Sequence, residues 1–312
     1  MAIQGTHGSY SECAALNFFP GRTVELVPRW RYADVFEAVD TGVAGYMAIP
    51  IENTTEGSVY QYYNLLLEYA FDKGFRIVDE LKLRIRHALI GARGSTRESI
   101  REVRSHYQAL GQCREYLRRS GLTPIEVADT AGAVQEILRE GWTHCAAVAS
   151  VQAAQDSGMQ VLEAGIEDRD DNYTRFLLVR RDLEGSLPDC EQVKCSVVFC
   201  IPNEEGSLFR TLAAFGTRRG VSLIRVESRP LAGTIPQWTR FAREHHAGDE
   251  RGVWDLVYYA DFLAPADRIH AVLDHLRDLV LEKAGETALQ VAGIYPNGPL
   301  IDKTGEPWRK NI

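Results

Sequence analysis

The chain has no apolar run of membrane-spanning length and no basic start leading into an apolar stretch, so neither a transmembrane segment nor a signal peptide is read from it. Its six cysteines (Cys13, Cys113, Cys145, Cys190, Cys195, Cys200) include no CxxC pair and no Cys/His spacing suited to zinc. Most lie inside apolar patterns, which predicts buried thiols in a reducing compartment and therefore a cytoplasmic protein. Positive charge is in deficit: 35 Lys and Arg against 43 Asp and Glu leave −8 at pH 7. That balance argues against nucleic acid or a membrane surface as partner, but not against a small anion held in a locally positive site. Also missing are the glycine loops that grip phosphates, HExxH and GxSxG. The chemistry expected is that of hydroxyls, amides and an arginine, with no metal and no cofactor.

What is present is the composition of a soluble globular protein, 45% hydrophobic and 25% charged over 312 residues, too long for one ordinary core. The first half repeats one device: a short strand, a polar loop, then a helix start. "MAIQ" leads through "GTHGSYSE" to "CAALNFF", and "GYMAIPI" through "ENTTEGSV" to "YQYYNLLLEYA". "IREVR" and "PIEVA" lead in the same way through "SHYQ" and "DTAG" into helical patterns. Such alternation predicts a largely parallel α/β sheet. "ELKLRIRHALIG", Glu80 to Gly91, reads as one long strand carrying the chain between two lobes, with a return near 166–176. The two-lobed domain is expected over 1–182 and a polar linker over 183–192.

From residue 193 the rhythm becomes β-α-β-β-α-β, a ferredoxin-like unit expected over 193–296, with a tail over 297–312. Small sheets of this kind have open edges and commonly pair, so a homodimer or homotetramer is expected. The long polar connection between Leu231 and Val253 reads either as functional or as disordered.

In open parallel sheets ligands sit beyond the carboxyl ends of the strands, where all four polar loops fall. Helix starts there offer unpaired N–H groups to carboxylates and phosphates, while the same Ser, Thr and Asn residues also serve as plain N-caps. In "QALGQCREYL", Leu110, Cys113 and Leu117 share a core-facing side, and Gln108 and Gln112 share the opposite one. Ser105 and His106 stand at the mouth of that helix.

The ordered set of motifs resembles prephenate dehydratase joined to an ACT regulatory domain, over nearly the whole chain. The family's "YQGxxGAYSE" is similar to "IQGTHGSYSE" from Ile3, and its "VIPIENSxxGS" to "AIPIENTTEGS" from Ala48. "SHYQALGQC" from Ser105, "DTAGAV" from Asp129 and "NYTRF" from Asn172 complete the catalytic set. "PNEEGSLFRTLAAF" from Pro202 and "RVESRP" from Arg225 resemble the two loops that receive phenylalanine. The resemblance implies a two-lobed catalytic domain like the type II periplasmic binding proteins, followed by the ferredoxin-like ACT domain. It implies decarboxylative dehydration of prephenate to phenylpyruvate, with L-phenylalanine as effector. Arogenate dehydratase and a non-catalytic amino-acid sensor are the alternatives.

Carried over by resemblance, Thr174, Glu52, Asn53, Ser105, Gln112 and Arg175 are the catalytic candidates, with Thr174 or Glu52 as donor to the departing hydroxyl. Arg175 is either a carboxylate clamp or an ion-pair partner of the acidic run "EDRDD". Substrate contacts are expected from Thr6, Ser9, Thr54, Thr55, Gly57, Ser58, His106, Gln108, Thr130, Ala131 and Phe176. The phenylalanine site is expected at Asn203, Gly206, Ser207, Leu208, Glu227, Ser228, Arg229 and Pro230. Three departures stand out: Tyr107 in place of the family's proline, the charge of Glu56 beside an anionic substrate, and the long stretch carrying Trp238, His245 and His246. Glu56 could instead favour a substrate with an amino group, as arogenate has. No chorismate mutase segment precedes the first strand, so a fused mutase is not expected.

Overall fold

A computed structural model of the chain describes residues 1–181, 187–201, 205–216, 220–230, 256–284, 289–303 and 306–307. In chain order the elements begin with β1 (Ala2–Gln4), α1 (Tyr10–Phe18), β2 (Val27–Arg29), α2 (Tyr32–Asp40), β3 (Met47–Asn53), β4 (Gly57–Ser58) and α3 (Tyr60–Lys73). Next come β5 (Phe75–Arg84), β6 (Ala88–Gly91), β7 (Glu102–Ser105), α4 (Tyr107–Gln112), α5 (Arg114–Arg119), β8 (Thr123–Glu126), α6 (Thr130–Glu140), β9 (Cys145–Ala149), α7 (Val151–Ser157), β10 (Gln160–Ala164) and β11 (Tyr173–Arg181). The later part holds β12 (Gln192–Cys200), α8 (Ser207–Gly216), β13 (Ser222–Pro230), β14 (Leu256–Pro265), α9 (Ile269–Ala284), β15 (Leu289–Pro296) and β16 (Leu300–Lys303).

These elements form two compact units. One comprises Met1–Val59, Leu81–Leu177 and the described residues from Pro299 onward; the other comprises Tyr60–Glu80 and Leu178–Gly298. The division differs from a cut near residue 182. Helix α3 groups with the later residues because its stripe Tyr62, Tyr63, Leu66, Leu67 and Ala70 is buried there. The Tyr63 ring meets Tyr259 edge-on at 5.0 Å, and Gln290 Nε2 donates to Ala70 O at 3.3 Å. Of the expected tail, Leu300–Lys303 form β16, which pairs with β5, and Ile301 is buried. Of the expected linker, 183–186 lie outside the described residues, as does the whole 231–253 connection.

The first unit holds two sheets. In one, β11, β3, β1 and β2 lie side by side, with β1 parallel to both of its neighbours. The other has the order β10-β6-β9-β7-β8, parallel from β9 to β8 and antiparallel at β6 and β10. Central strand β9, "CAAVA", is buried on both faces, as the run of apolar residues dictates. Cys145, Ala147 and Ala149 pack with Ala133, Val134 and Ile137 of α6. Ala146 and Val148 pack on the other side with Leu110, Cys113 and Leu117.

The expected single strand over Glu80–Gly91 is in fact two strands in different sheets. β5 ends at Arg84 and β6 starts at Ala88. At the break the Ile85 N–H still donates to a main-chain oxygen, Asn172 O at 2.8 Å, but the His87 N–H donates to a Glu167 carboxylate oxygen at 2.9 Å instead of to a neighbouring strand. The hydrophobic pattern runs through the break because Ile85 and His87 are both buried.

In the second unit the antiparallel order β13-β14-β12-β15, with α8 and α9 as the crossovers, is the ferredoxin-like arrangement. Val193, Cys195, Val197 and Phe199 face a core with Phe215, Ile269, Val272, Leu273 and Leu276. The alternate residues Lys194 and Ser196 are buried on the opposite face. Lys194 Nζ lies 2.9 Å from the Glu80 carboxylate, and the Ser196 hydroxyl contacts Asp261 Oδ1 and the Tyr295 hydroxyl, both at 2.5 Å. All six cysteines are free, five buried and Cys190 half-buried.

Candidate active site

Strand β3 delivers Asn53 at its end, and the turn that follows fixes the Asn53 side chain. Its Oδ1 accepts from Thr55 N at 2.8 Å, Thr55 Oγ1 at 2.6 Å and Glu56 N at 3.0 Å. Two of those donors are main-chain N–H groups, which cannot reverse, so the amide has one orientation. Asn53 Nδ2 therefore donates, to Asn172 Oδ1 at 2.8 Å and to Thr174 Oγ1 at 2.9 Å. Thr174 lies on β11 with 9% of its surface exposed. Its oxygen accepts from Asn53, so its own proton is free to donate to another group.

The chain of amides continues. Asn172 Nδ2 donates to Gln112 Oε1 at 2.9 Å, and Gln112 Nε2 points back to Thr55 Oγ1 at 3.4 Å. Thr54 ties the loop to β11: its N–H donates to Tyr173 O at 2.9 Å, its hydroxyl to Asp171 O at 2.8 Å, and it accepts from Tyr173 N at 2.9 Å. Asn53, Thr55, Gln112 and Thr174, distant in sequence, thus form one network of uncharged donors.

Arg175 is buried, and Glu52 Oε2 stands 3.5 Å from its Nη1. Three members of the acidic run have partners of their own. Glu167 accepts from His87 N, Asp168 accepts from Glu115 N at the start of α5, and Asp171 pairs with Arg169 at 2.7 Å.

Ser105 is fully buried and its hydroxyl donates to Val148 O at 2.6 Å, tying β7 to β9. His106 caps α4 through its ring nitrogen, 3.4 Å from Gln108 N, and burial lowers its pKa. Gln108 is half-buried beside it. Thr130 opens α6 behind the Asp129 cap, and Ala131 is buried. Ser9 caps α1, Gly57 and Ser58 form β4 opposite Asn53 and Glu52, and the Thr6 hydroxyl is buried with no hydrogen-bond partner among the described residues. Phe176 requires a correction: it is core, packed with Cys13, Leu83 and Ile301 rather than offered to a ligand.

In the second unit Ser207 opens α8 and its hydroxyl accepts from Arg210 Nη2 at 3.3 Å; Gly206 precedes it and Leu208 packs on the core. On β13, Glu227 pairs with Arg225 at 3.0 Å, the Arg229 guanidinium lies 4.2 Å from the centre of the Tyr60 ring, and Ser228 and Pro230 are exposed. Asn203 lies outside the described residues.

Sequence reasoning missed two participants. Asn172 is 1% exposed and joins two of the candidates, Asn53 and Gln112, and His87, 2% exposed, contacts Gln112. A histidine at the point where the alternating Leu83-Arg84-Ile85-Arg86 gives way to the apolar Ala88-Leu89-Ile90 was the available signal.

A family model described as prephenate dehydratase matches residues 1–184. Arogenate dehydratase/prephenate dehydratase 2 of Arabidopsis thaliana, a chloroplastic protein, is 37% identical over 95% of this chain and 72% of its own. The prephenate dehydratase of Arthrobacter aurescens, solved in complex with L-Phe, has 25% identity and a TM-score of 0.76 over 99% of this chain and 92% of its own. A protein named GqqA, described as a novel type of quorum quenching acylase, has 28% identity and a TM-score of 0.77 over 95% and 97%. With a family match over more than half the chain and a near full-length relative above 30% identity, the chain belongs to the prephenate dehydratase family of hydro-lyases.

Proposed function

We propose that the chain converts prephenate to phenylpyruvate in L-phenylalanine formation. In that reaction the ring carboxylate leaves as CO2, its bonding electrons enter the ring, and the C–O bond opposite breaks to release hydroxide. Aromatisation drives the step, and what the protein must add is a donor at the departing oxygen. The observation that carries the reading is the fixed Asn53 amide, which makes Thr174 an acceptor from Asn53 and so leaves its proton to donate. Arg175, the N-terminus of α1 and the Thr6 hydroxyl supply groups suited to two carboxylates.

Arogenate is the second reading. The Arabidopsis relative is named for both substrates, and the exposed Glu56 follows Asn53 in the same turn, where its charge favours an amino group. The second unit is proposed to be an ACT domain that binds L-phenylalanine through Gly206–Leu208 and Glu227–Pro230 and pairs into a homodimer or homotetramer. The L-Phe complex of the Arthrobacter protein supports that assignment.

The test is turnover of prephenate and arogenate by the full chain near neutral pH, with and without phenylalanine and against a no-enzyme control. Turnover of either substrate, altered by phenylalanine, is the expected result. No turnover of both would overturn the reading.

A further inference from the structure

The direction of each hydrogen bond in the network can be followed from the main chain outward to His87. Thr55 N and Glu56 N fix Asn53 Oδ1 as acceptor, so Asn53 Nδ2 fixes Asn172 Oδ1 as acceptor. Asn172 Nδ2 must then donate to Gln112 Oε1. Reversing Gln112 would set two NH2 groups against each other at 2.9 Å. His87 Nε2 is 2.8 Å from the same Oε1, so Nε2 carries the ring proton. At the far side of the ring Nδ1 faces the Tyr10 hydroxyl at 2.9 Å, with the two rings edge-on at 5.7 Å.

We propose that His87, held by Tyr10, is a positioning residue of the dehydratase site: its Nε2–H locks the Gln112 amide so that the NH2 of Gln112 faces the Asn53–Thr55–Thr174 group. The proposal rests on the dehydratase reading above. Without His87, Oε1 keeps one donor, Asn172, and the amide gains freedom to turn. Several groups around the imidazole bear on its charge. Glu167, on the segment after β10, accepts from its main-chain N–H and favours a cation. Arg86 precedes it on its own segment, and its carbonyl shares the Tyr10 proton at 2.6 Å. From α1 come Tyr10 itself and, behind it, Cys13; from the C-terminus of α4 comes Cys113; both thiols are buried. Burial outweighs the raising influence of Gln112 and Glu167 and holds the ring neutral. The Nε2–H donor is present in the neutral and the cationic form alike, so the lock itself does not depend on pH.

Two measurements test this. Nitrogen-15 NMR of histidine in the folded chain should show His87 protonated at Nε2 and bare at Nδ1 between pH 6 and 8; the opposite tautomer overturns the proposal, whether or not the chain turns over prephenate. In kinetics, His87→Leu should lower kcat about tenfold, the scale of one hydrogen bond lost, with a smaller change in KM. His87→Gln, which keeps an N–H donor, should restore most of it. Adding His87→Leu to Gln112→Leu should cost nothing further, whereas a full additive loss, or a His87→Gln variant as impaired as His87→Leu, overturns the role. Should His87→Leu fail to fold, the Tyr10→Phe variant in the same cycle and the tautomer still decide. A wild-type chain inactive on both substrates would sink the functional reading alone.

Discussion

Thr174 is a poor acid in water, so its worth in the site is directional. Its proton is aimed away from Asn53 because Asn53 has only donors to offer it. Thr174→Ala is expected to lower kcat by about 10²–10³, the cost of removing one donor to a charge that develops in the transition state. Melting temperature should change little, and Thr174→Ser should keep much of the activity. Near-normal kcat in a folded Thr174→Ala variant would remove Thr174 from the mechanism. A second prediction concerns stability. Burial lowers the pKa of His87 in the fold, while in the unfolded chain it titrates near its ordinary 6.5. As pH falls through that value the unfolded chain takes up a proton that the native chain refuses, so the contribution to stability present above it is progressively lost below. Thermal melts from pH 7.5 to 5.5 should therefore fall less steeply for His87→Gln than for the wild type. His106, lowered by burial too, contributes the same sign in both proteins. At this scale the sequence was legible where a motif concentrated polar residues, as in "NYTRF". It was opaque at Ser105, where only the fold reveals that the hydroxyl is spent on Val148 O.

Elements were legible wherever periodicity and capping agreed. Helix α6 starts at the Asp129 cap and stops at Gly141, and β9 reads as a fully buried strand. What failed was continuity: a pattern of buried residues cannot say where a strand leaves one sheet and enters another, because Leu83, Ile85 and His87 are buried straight through the break. The helix "QALGQCREYL" likewise divides into α4 and α5 at Cys113, although the inward face of Leu110, Cys113 and Leu117 is as the spacing predicts. The join of α1 and α7 depends on Gly8. Its φ is +83°, its carbonyl accepts from Ser150 Oγ at 2.8 Å, and a Cβ there would stand 2.9 Å from Ala153 Cα. Gly8→Ala should destabilise the fold by about 1–3 kcal/mol through backbone strain and overpacking. The midpoint of urea unfolding measures it, and an unchanged midpoint would show that the two helices give way freely.

At the scale of the whole molecule, composition and motif order indicated an α/β part and a ferredoxin-like part. They could not show that the units interleave along the chain, since α3 has the same amphipathic pattern whichever sheet it covers. The second unit needs Glu80 for Lys194 and Tyr63 for Tyr259, both contributed from the first eighty residues. A fragment beginning at residue 187 is therefore expected to be unfolded or aggregated, with a buried lysine left uncompensated. Proton NMR of that fragment with sharp, dispersed methyl signals would contradict this.

Interleaving also sets an order of events during synthesis. Tyr60–Glu80 leave the ribosome about a hundred residues before Leu178, where the rest of their unit begins. At ~5–20 residues per second that is an interval of roughly 5–20 s, whereas collapse of a chain takes microseconds. Through all of it Tyr62, Tyr63, Leu66 and Leu67 lack the partners that bury them in the finished protein. The half-made chain, rather than the mature one, is therefore the form expected to stick to its neighbours.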